Sequence, residues 1–152
     1  MQIDKIKWVN AIKPQAGGAI TGVYVSLKNV IKALVVVHID QANAATMAIT
    51  IEQATAVAGT GTTPITKAVP IWVNLDTAAS DVLVAATPAV AYTTDAGIKI
   101  KLVIFEIDPA TLNIAGGFDC ITVKTAASNA ANITAAHYVL NLRYSGSVVI
   151  TD

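Results

Sequence analysis

Large apolar residues recur at every second position in several short runs of this chain. Met47, Ile49 and Ile51 share one face of Met47-Ala48-Ile49-Thr50-Ile51-Glu52. Ile98, Ile100, Leu102 and Ile104 form a second apolar row, with Lys99 and Lys101 set opposite. Further on, Tyr138, Leu140, Leu142 and Tyr144 line up against Asn141 and Arg143. Successive side chains of a strand point to opposite faces, so these runs predict strands with one side on a core and one side wet. Ala33-Leu34-Val35-Val36-Val37-His38-Ile39 does not alternate cleanly, which predicts a strand covered on both faces near the middle of a sheet or under a neighbour. The core expected from this pattern is Leu34, Val36, Ile49, Ile51, Ile100, Leu102, Ile104, Leu140 and Leu142.

Shorter strands are expected at residues 24–28, 66–74, 81–85 and 119–124, separated by turn chemistry at Gly59-Thr60-Gly61, Thr87-Pro88, Asp95-Ala96-Gly97 and Gly116-Gly117. About eight short strands so spaced predict an all-β fold, a β-sandwich or jelly roll with one or two short helical turns. One turn is expected at Asp108-Pro109-Ala110-Thr111-Leu112, where a capping residue precedes a proline at the first helical position. A weaker helical signal covers residues 128–136. Longer helices are excluded by Pro14, Pro64, Pro70, Pro88 and Pro109. The expected organisation is an N-terminal strand or extended arm over residues 1–22, followed by a single β-sandwich domain over residues 23–152.

Composition changes this picture at the surface. The 152 residues are 54% hydrophobic and only 13% charged, with ten basic side chains against ten acidic ones. Average soluble domains carry about 25% charged residues, so the surface is sparsely charged and has no net repulsion to keep copies apart. Disorder is excluded, because it requires low hydrophobicity and high charge. Lys and Arg are scattered with no basic stripe, which argues against nucleic acid as a partner. The longest strongly apolar stretch, residues 33–37, is far short of the roughly 20 residues of a membrane helix, so no membrane partner is expected. Asp4, Lys5 and Lys7 interrupt the first residues where a secretion signal would be apolar, and the expected site of assembly is a reducing cytoplasm.

Candidate chemistry is thin. The chain has two His and two Glu. His38 and Asp40 share a strand face, and His137 has no neighbouring ligand spacing, so neither predicts a metal or acid–base site. Gly59-Thr60-Gly61-Thr62-Thr63 lacks the lysine of a phosphate loop and reads as a hairpin. Cys120 stands alone, which excludes an internal disulfide and suits a small buried hydrophobe. Asn132-Ile133-Thr134 matches a glycosylation sequon of the kind expected by chance. No catalytic residue, cofactor or metal site is expected, and no enzymatic activity. Ile6, Trp8, Trp72 and Tyr144 are the candidate interface residues, since rings in a chain with 5% aromatics serve most often as core anchors or contact hot spots.

Ser26-Leu27-Lys28-Asn29, the apolar strand through Val35 and Ile39, and Ala48-Ile49-Thr50-Ile51-Glu52-Gln53-Ala54-Thr55-Ala56-Val57-Ala58-Gly59-Thr60-Gly61 follow one another in a recognisable order. With Ala115-Gly116-Gly117-Phe118-Asp119-Cys120-Ile121-Thr122-Val123-Lys124-Thr125, this order resembles small virion structural proteins of tailed bacteriophages, over residues 24–144. The resemblance rests on strand and turn patterns and carries no functional residues. It implies a virion protein assembled in the host cytoplasm, a capsid decoration or stabilising subunit. Its partners would be the major capsid protein and copies of itself in a trimer or another cyclic oligomer. A receptor- or glycan-binding module of a tail or fibre, with an exposed aromatic pair involving Trp72, is the alternative from another class. A tail or head–tail joining protein is a third reading.

Overall fold

Residues 3–144 are described by a computed structural model; residues 1–2 and 145–152 of the two expected segments lie outside it. Twelve strands, β1 to β12, and three single turns of 3-10 helix are found among the described residues. One sheet runs in the order β1 (Ile6–Ala16), β12 (Ile133–Leu142), β4 (Val30–Asp40), β10 (Ile100–Ile107), β7 (Val69–Asn74), β8 (Val84–Ala89). The other runs β2 (Ile20–Thr21), β11 (Cys120–Thr125), β5 (Ala48–Ala54), β6 (Thr63–Pro64), with β3 (Val25–Ser26) also on β11 and β9 (Ala91–Thr93) also on β5. All pairings are antiparallel. The two sheets face each other across one apolar core, so the molecule is an all-β sandwich.

The chain crosses between sheets at both lateral edges. After β1 it passes through Gly17 and Gly18 to β2 in the opposite sheet, and after β8 it turns at Val90 into β9. Register shifts mark the bends, between Asn10 and Ile12 and between Ile12 and Gln15 on β1, and between Val69 and Ile71 beside β8. Extra residues of this kind bend a strand and sharpen its twist, which is what a corner needs. Residues 6–16 are thus a sheet strand, paired with β12 along their length.

At the first corner the ladder on β11 is interrupted between β2 and β3. Gly22 N–H donates to the Val123 carbonyl at 2.8 Å, and Val23 N–H donates across to Ala11 of the other sheet at 3.0 Å. A side chain at Gly22 would lie 3.1 Å from the Ala11 and Val123 carbonyl oxygens, so any larger residue would have to push these strands apart by a few tenths of an ångström. The gap is filled by Tyr138, a fully buried ring reaching over from β12. Its hydroxyl accepts from Val123 N–H and donates to the Val23 carbonyl, both at 2.9 Å. Burial pushes the phenol up to about 12, partly offset by the Val123 N–H, so it stays protonated at neutral pH.

The core differs from the expectation on two strands. Ile49, Ile51, Leu140 and Leu142 are buried, but β4 buries Ala33, Val35, Val37 and Ile39, while Leu34 and Val36 are half-buried on the outer face. On β10 the inward row is Lys101, Val103, Phe105 and Ile107; Leu102 and Ile104 are half-buried and Ile100 is 37% exposed. The two corrections have one cause, because Ile104 is paired with Val36 and turning one strand turns the other. Placing Lys101 outward misled the reading. Its ammonium is fully buried, bonded to Asp95 Oδ1 at 2.6 Å, the Asp95 carbonyl at 2.9 Å and Gln41 Oε1 at 3.1 Å. Thr94 donates to Gln41 Oε1 at 2.8 Å and Gly97 N–H to Asp95 Oδ1 at 2.8 Å, which closes the network. A buried charge is tolerated when its donors are met in this way.

The capped turn appears as Pro109–Thr111, with Asp108 accepting from Ala110 N–H at 2.9 Å. A second short turn falls at Ile114–Gly116. Residues 128–136 form no helix; they hold a turn and then β12.

Two substitution tests follow from these packing relations. Phe105→Ala should cost about 3–5 kcal/mol of unfolding free energy and Ile104→Ala about 1 kcal/mol or less, the reverse of the order given by the lysine-out reading. Tyr138→Phe should cost about 1–3 kcal/mol, because it strands a buried donor and a part-buried acceptor without changing packing volume. Denaturant unfolding measures both.

Candidate interaction surface

The outward side of the first sheet is built by cross-strand rows, since residues directly opposite in neighbouring strands share a face. One row is Trp8, Val139, Leu34 and Glu106. The next is Asn10, His137, Val36, Ile104, Trp72 and Ala85. A third holds Ala135, His38, Leu102 and Asn74. Trp8 is 64% exposed and Trp72 38%. The Trp8 ring lies 5.8 Å from that of His137, tilted by 45°.

Strand spacing near 4.8 Å and a two-residue step near 6.7 Å give this face an extent of about 24 Å by 27 Å, or roughly 650 Å² in projection. That is on the scale of the approximately 800 Å² per partner of a standard protein interface. Its centre, formed by Leu34, Val36, Leu102, Ile104 and Val139, carries no charge. Two ion pairs flank it, and Asp40 is exposed at the end of β4. Lys32 bonds Glu106 at one end, and Lys99 meets Asp76 at 2.7 Å at the other. The Lys32 ammonium holds the Glu106 carboxyl below the usual carboxylate range, opposed by partial burial and assisted by Trp72. Lys99 likewise lowers Asp76. An apolar centre with a polar rim is the general anatomy of a protein interface.

Of the four expected interface residues, Ile6 and Trp8 project from β1 and Trp72 from β7 onto this face. Ile6 sits in a row with Asn141 and Lys32. Tyr144 lies two residues past the end of β12 and is 60% exposed. Trp8 and Trp72 are four strand intervals apart, about 19 Å, so they do not form the aromatic pair of the glycan-binding alternative. Among the remaining rings, Tyr138 is buried in the core and the Tyr24 hydroxyl is bonded to Thr62 at 2.9 Å.

The residues weighed for chemistry are dispersed. His38 and Asp40 are exposed on β4, and the register sets His38 diagonally across from His137 on the outer face. Among the described residues, no three His, Cys, Asp or Glu side chains gather as a metal site. Cys120 is buried and donates to Asp119 at 3.0 Å; burial, reinforced by that carboxylate, pushes its thiol up to about 12. Gly59 and Gly61 occupy a tight turn closed by Thr55 N–H to the Thr60 carbonyl at 2.9 Å. Asn132 is fully buried and its amide donates to Ala45 and Ser128, both at 2.9 Å, leaving no room for a glycan. A shallow depression of about 520 Å³ between Asp40, Gln41, Asp76, Ile98, Lys99 and Ile100 holds the Lys99–Asp76 pair at its wall. No helix among the described residues is long and apolar enough to cross a membrane.

The chain matches no protein-family model and no curated protein to a significant degree. Among solved structures it is similar to the SPBc2 prophage-derived protein YomS, with a TM-score of 0.52 and 11% identity over 92% of this chain and 96% of that one. At that identity the likeness shows a common fold. A structure of infectious bursal disease virus, Gx strain, aligns at a TM-score of 0.26 with 13% identity, covering 90% of this chain and 39% of that chain, and carries no weight.

The Lys32–Glu106 pair makes the face sensitive to acid. Glu106 has a lowered folded pKa, so its stabilising contribution is complete above the ordinary carboxylate range and is lost as pH falls through the folded value. Trp72 fluorescence should report that loss as a step below the usual carboxylate range, and Glu106→Gln should remove the step.

Proposed function

We propose that this chain is a structural protein of a bacteriophage virion, a decoration or stabilising subunit without catalytic activity. It lays the outer face of its first sheet against the major capsid protein and associates with copies of itself in a closed cyclic oligomer. The single observation that carries this reading is the uncharged centre of the face between Trp8 and Trp72, flanked by the Lys32–Glu106 and Lys99–Asp76 pairs. Covering such a face removes apolar area from water and strips few unpaired charges of their hydration, which is the expensive part of burying ions. The fold shared with a prophage-derived protein supports the phage setting. The virion, filled in the host cytoplasm, is the proposed location.

Binding to purified capsids of the phage that carries this sequence tests the proposal. The protein should co-sediment saturably with shells, and Trp8→Lys should weaken binding by about 2 kcal/mol or more, roughly 30-fold, as for an aromatic hot spot. Lys13→Ala should bind like the unaltered protein. Failure of the folded protein to bind shells, or indifference to Trp8→Lys, overturns it.

A further inference from the structure

We propose that two copies of this chain join edge to edge through β8, antiparallel across a two-fold axis normal to the first sheet. The inference deepens the reading above by naming where copies meet, and it rests on that reading only for self-association.

Among the described residues β8 is the last strand of its sheet, and its only partner is β7. A terminal strand presents a row of unpaired backbone donors and acceptors, and folded proteins blunt such rows with charges, short strands or bulges. The other edges here are blunted. β1 carries Lys7 and Lys13 with Pro14, and two register shifts. In the second sheet β2, β3 and β6 span two residues each and β9 three. β8 has six residues; Pro88 and the register shift between Ala86 and Ala89 guard its far end, while residues 84–86 pair regularly with β7 and carry no guard. No charged side chain occurs between Asp81 and Asp95, and Val82, Leu83 and Val84 are 61%, 40% and 59% exposed.

The occupant is settled by charge. A two-fold axis sets each strand against its own sequence in reverse, so an edge whose charges are all of one sign brings like charges together. Two β1 edges would bring lysines together, whereas two β8 edges bring together only Val, Leu, Ala and Thr. Pro88 lacks an N–H and limits the new ladder to the residues before it. A partner of opposite charge has nothing on this edge to recognise.

Such a join makes the two first sheets continuous and turns both outer faces the same way. The sheet face offered to one partner doubles, from roughly 650 to about 1,300 Å² in projection. Two linked faces bind a repetitive shell with an avidity beyond that of one.

Light scattering on the full chain during size exclusion provides the test. The unaltered protein should run at twice its 15.7 kDa chain mass at about 100 μM. Val84→Lys with Thr87→Lys, both at exposed positions, should weaken the dimer at least ten-fold. Trp8→Lys should leave it intact. On the unaltered protein, amide exchange over residues 84–87 should slow as concentration rises, which needs no variant to fold. A monomer or a trimer, a dimer indifferent to the double lysine, or exchange independent of concentration each overturns the proposal. Loss of shell binding with a persistent dimer fails the capsid reading alone.

Discussion

The Tyr138 hydroxyl holds the two sheets together where neither sheet can do so itself. β11 loses its ladder partner between β2 and β3, because the chain leaves at Gly22 and Val23 to reach β1 of the opposite sheet. The buried Val123 N–H would be orphaned there, a penalty of about 1–3 kcal/mol, and the part-buried Val23 carbonyl would lose its donor. One phenol from the other sheet satisfies both. The corner at Gly22, the pairing of β1 with β12 and the outer face that begins at Trp8 all follow from that closure.

The sparse charge acquires a definite meaning in the fold. Lys28, Lys32, Lys99, Lys101 and Lys124 are each paired with a carboxylate, so half of the chain's basic groups are spent internally. What remains on the first sheet is an apolar centre bounded by neutralised pairs. Individually these surface pairs add little stability, with exposed pairs worth about 0–1 kcal/mol. Their larger effect is on the surface, where they remove free charge from the region around Leu34, Val36, Leu102 and Ile104.

The sequence made the strands legible and left the facing of two of them ambiguous. Alternation located β5, β10 and β12, and the Asp-Pro pair located the short turn after β10. On β4 and β10, both faces are apolar over several residues, so parity hung on a few polar positions. Lys32, His38 and Asp40 share the parity of Leu34 and Val36 and point outward together, a usable signal in the sequence. Lys101 gave the opposite sign, because its partners, Asp95 in the turn just before β10 and Gln41 sixty residues away, are contacts that alternation does not reveal. Tyr138 was readable as a buried ring but its hydroxyl partners were not, since Val23 and Val123 are far apart in the chain. Three of the four candidate contact residues fall on one face because β1, β10 and β7 are brought into one sheet by pairings that no local pattern encodes.

The pairing of β1 with β12 also governs when this molecule can first exist during synthesis. The strand beginning at Ile6 finds its neighbour only when residues near Leu142 have been made. At about 5–20 residues per second, that is a wait of roughly 7–27 s. Through this interval Trp8, Val9 and Ile12 have no sheet to join, and the central strand β4 lacks one of its two flanks. Lys5, Lys7 and Lys13, spaced along the same segment, then act as solubilising groups for a nascent chain that is otherwise poor in charge.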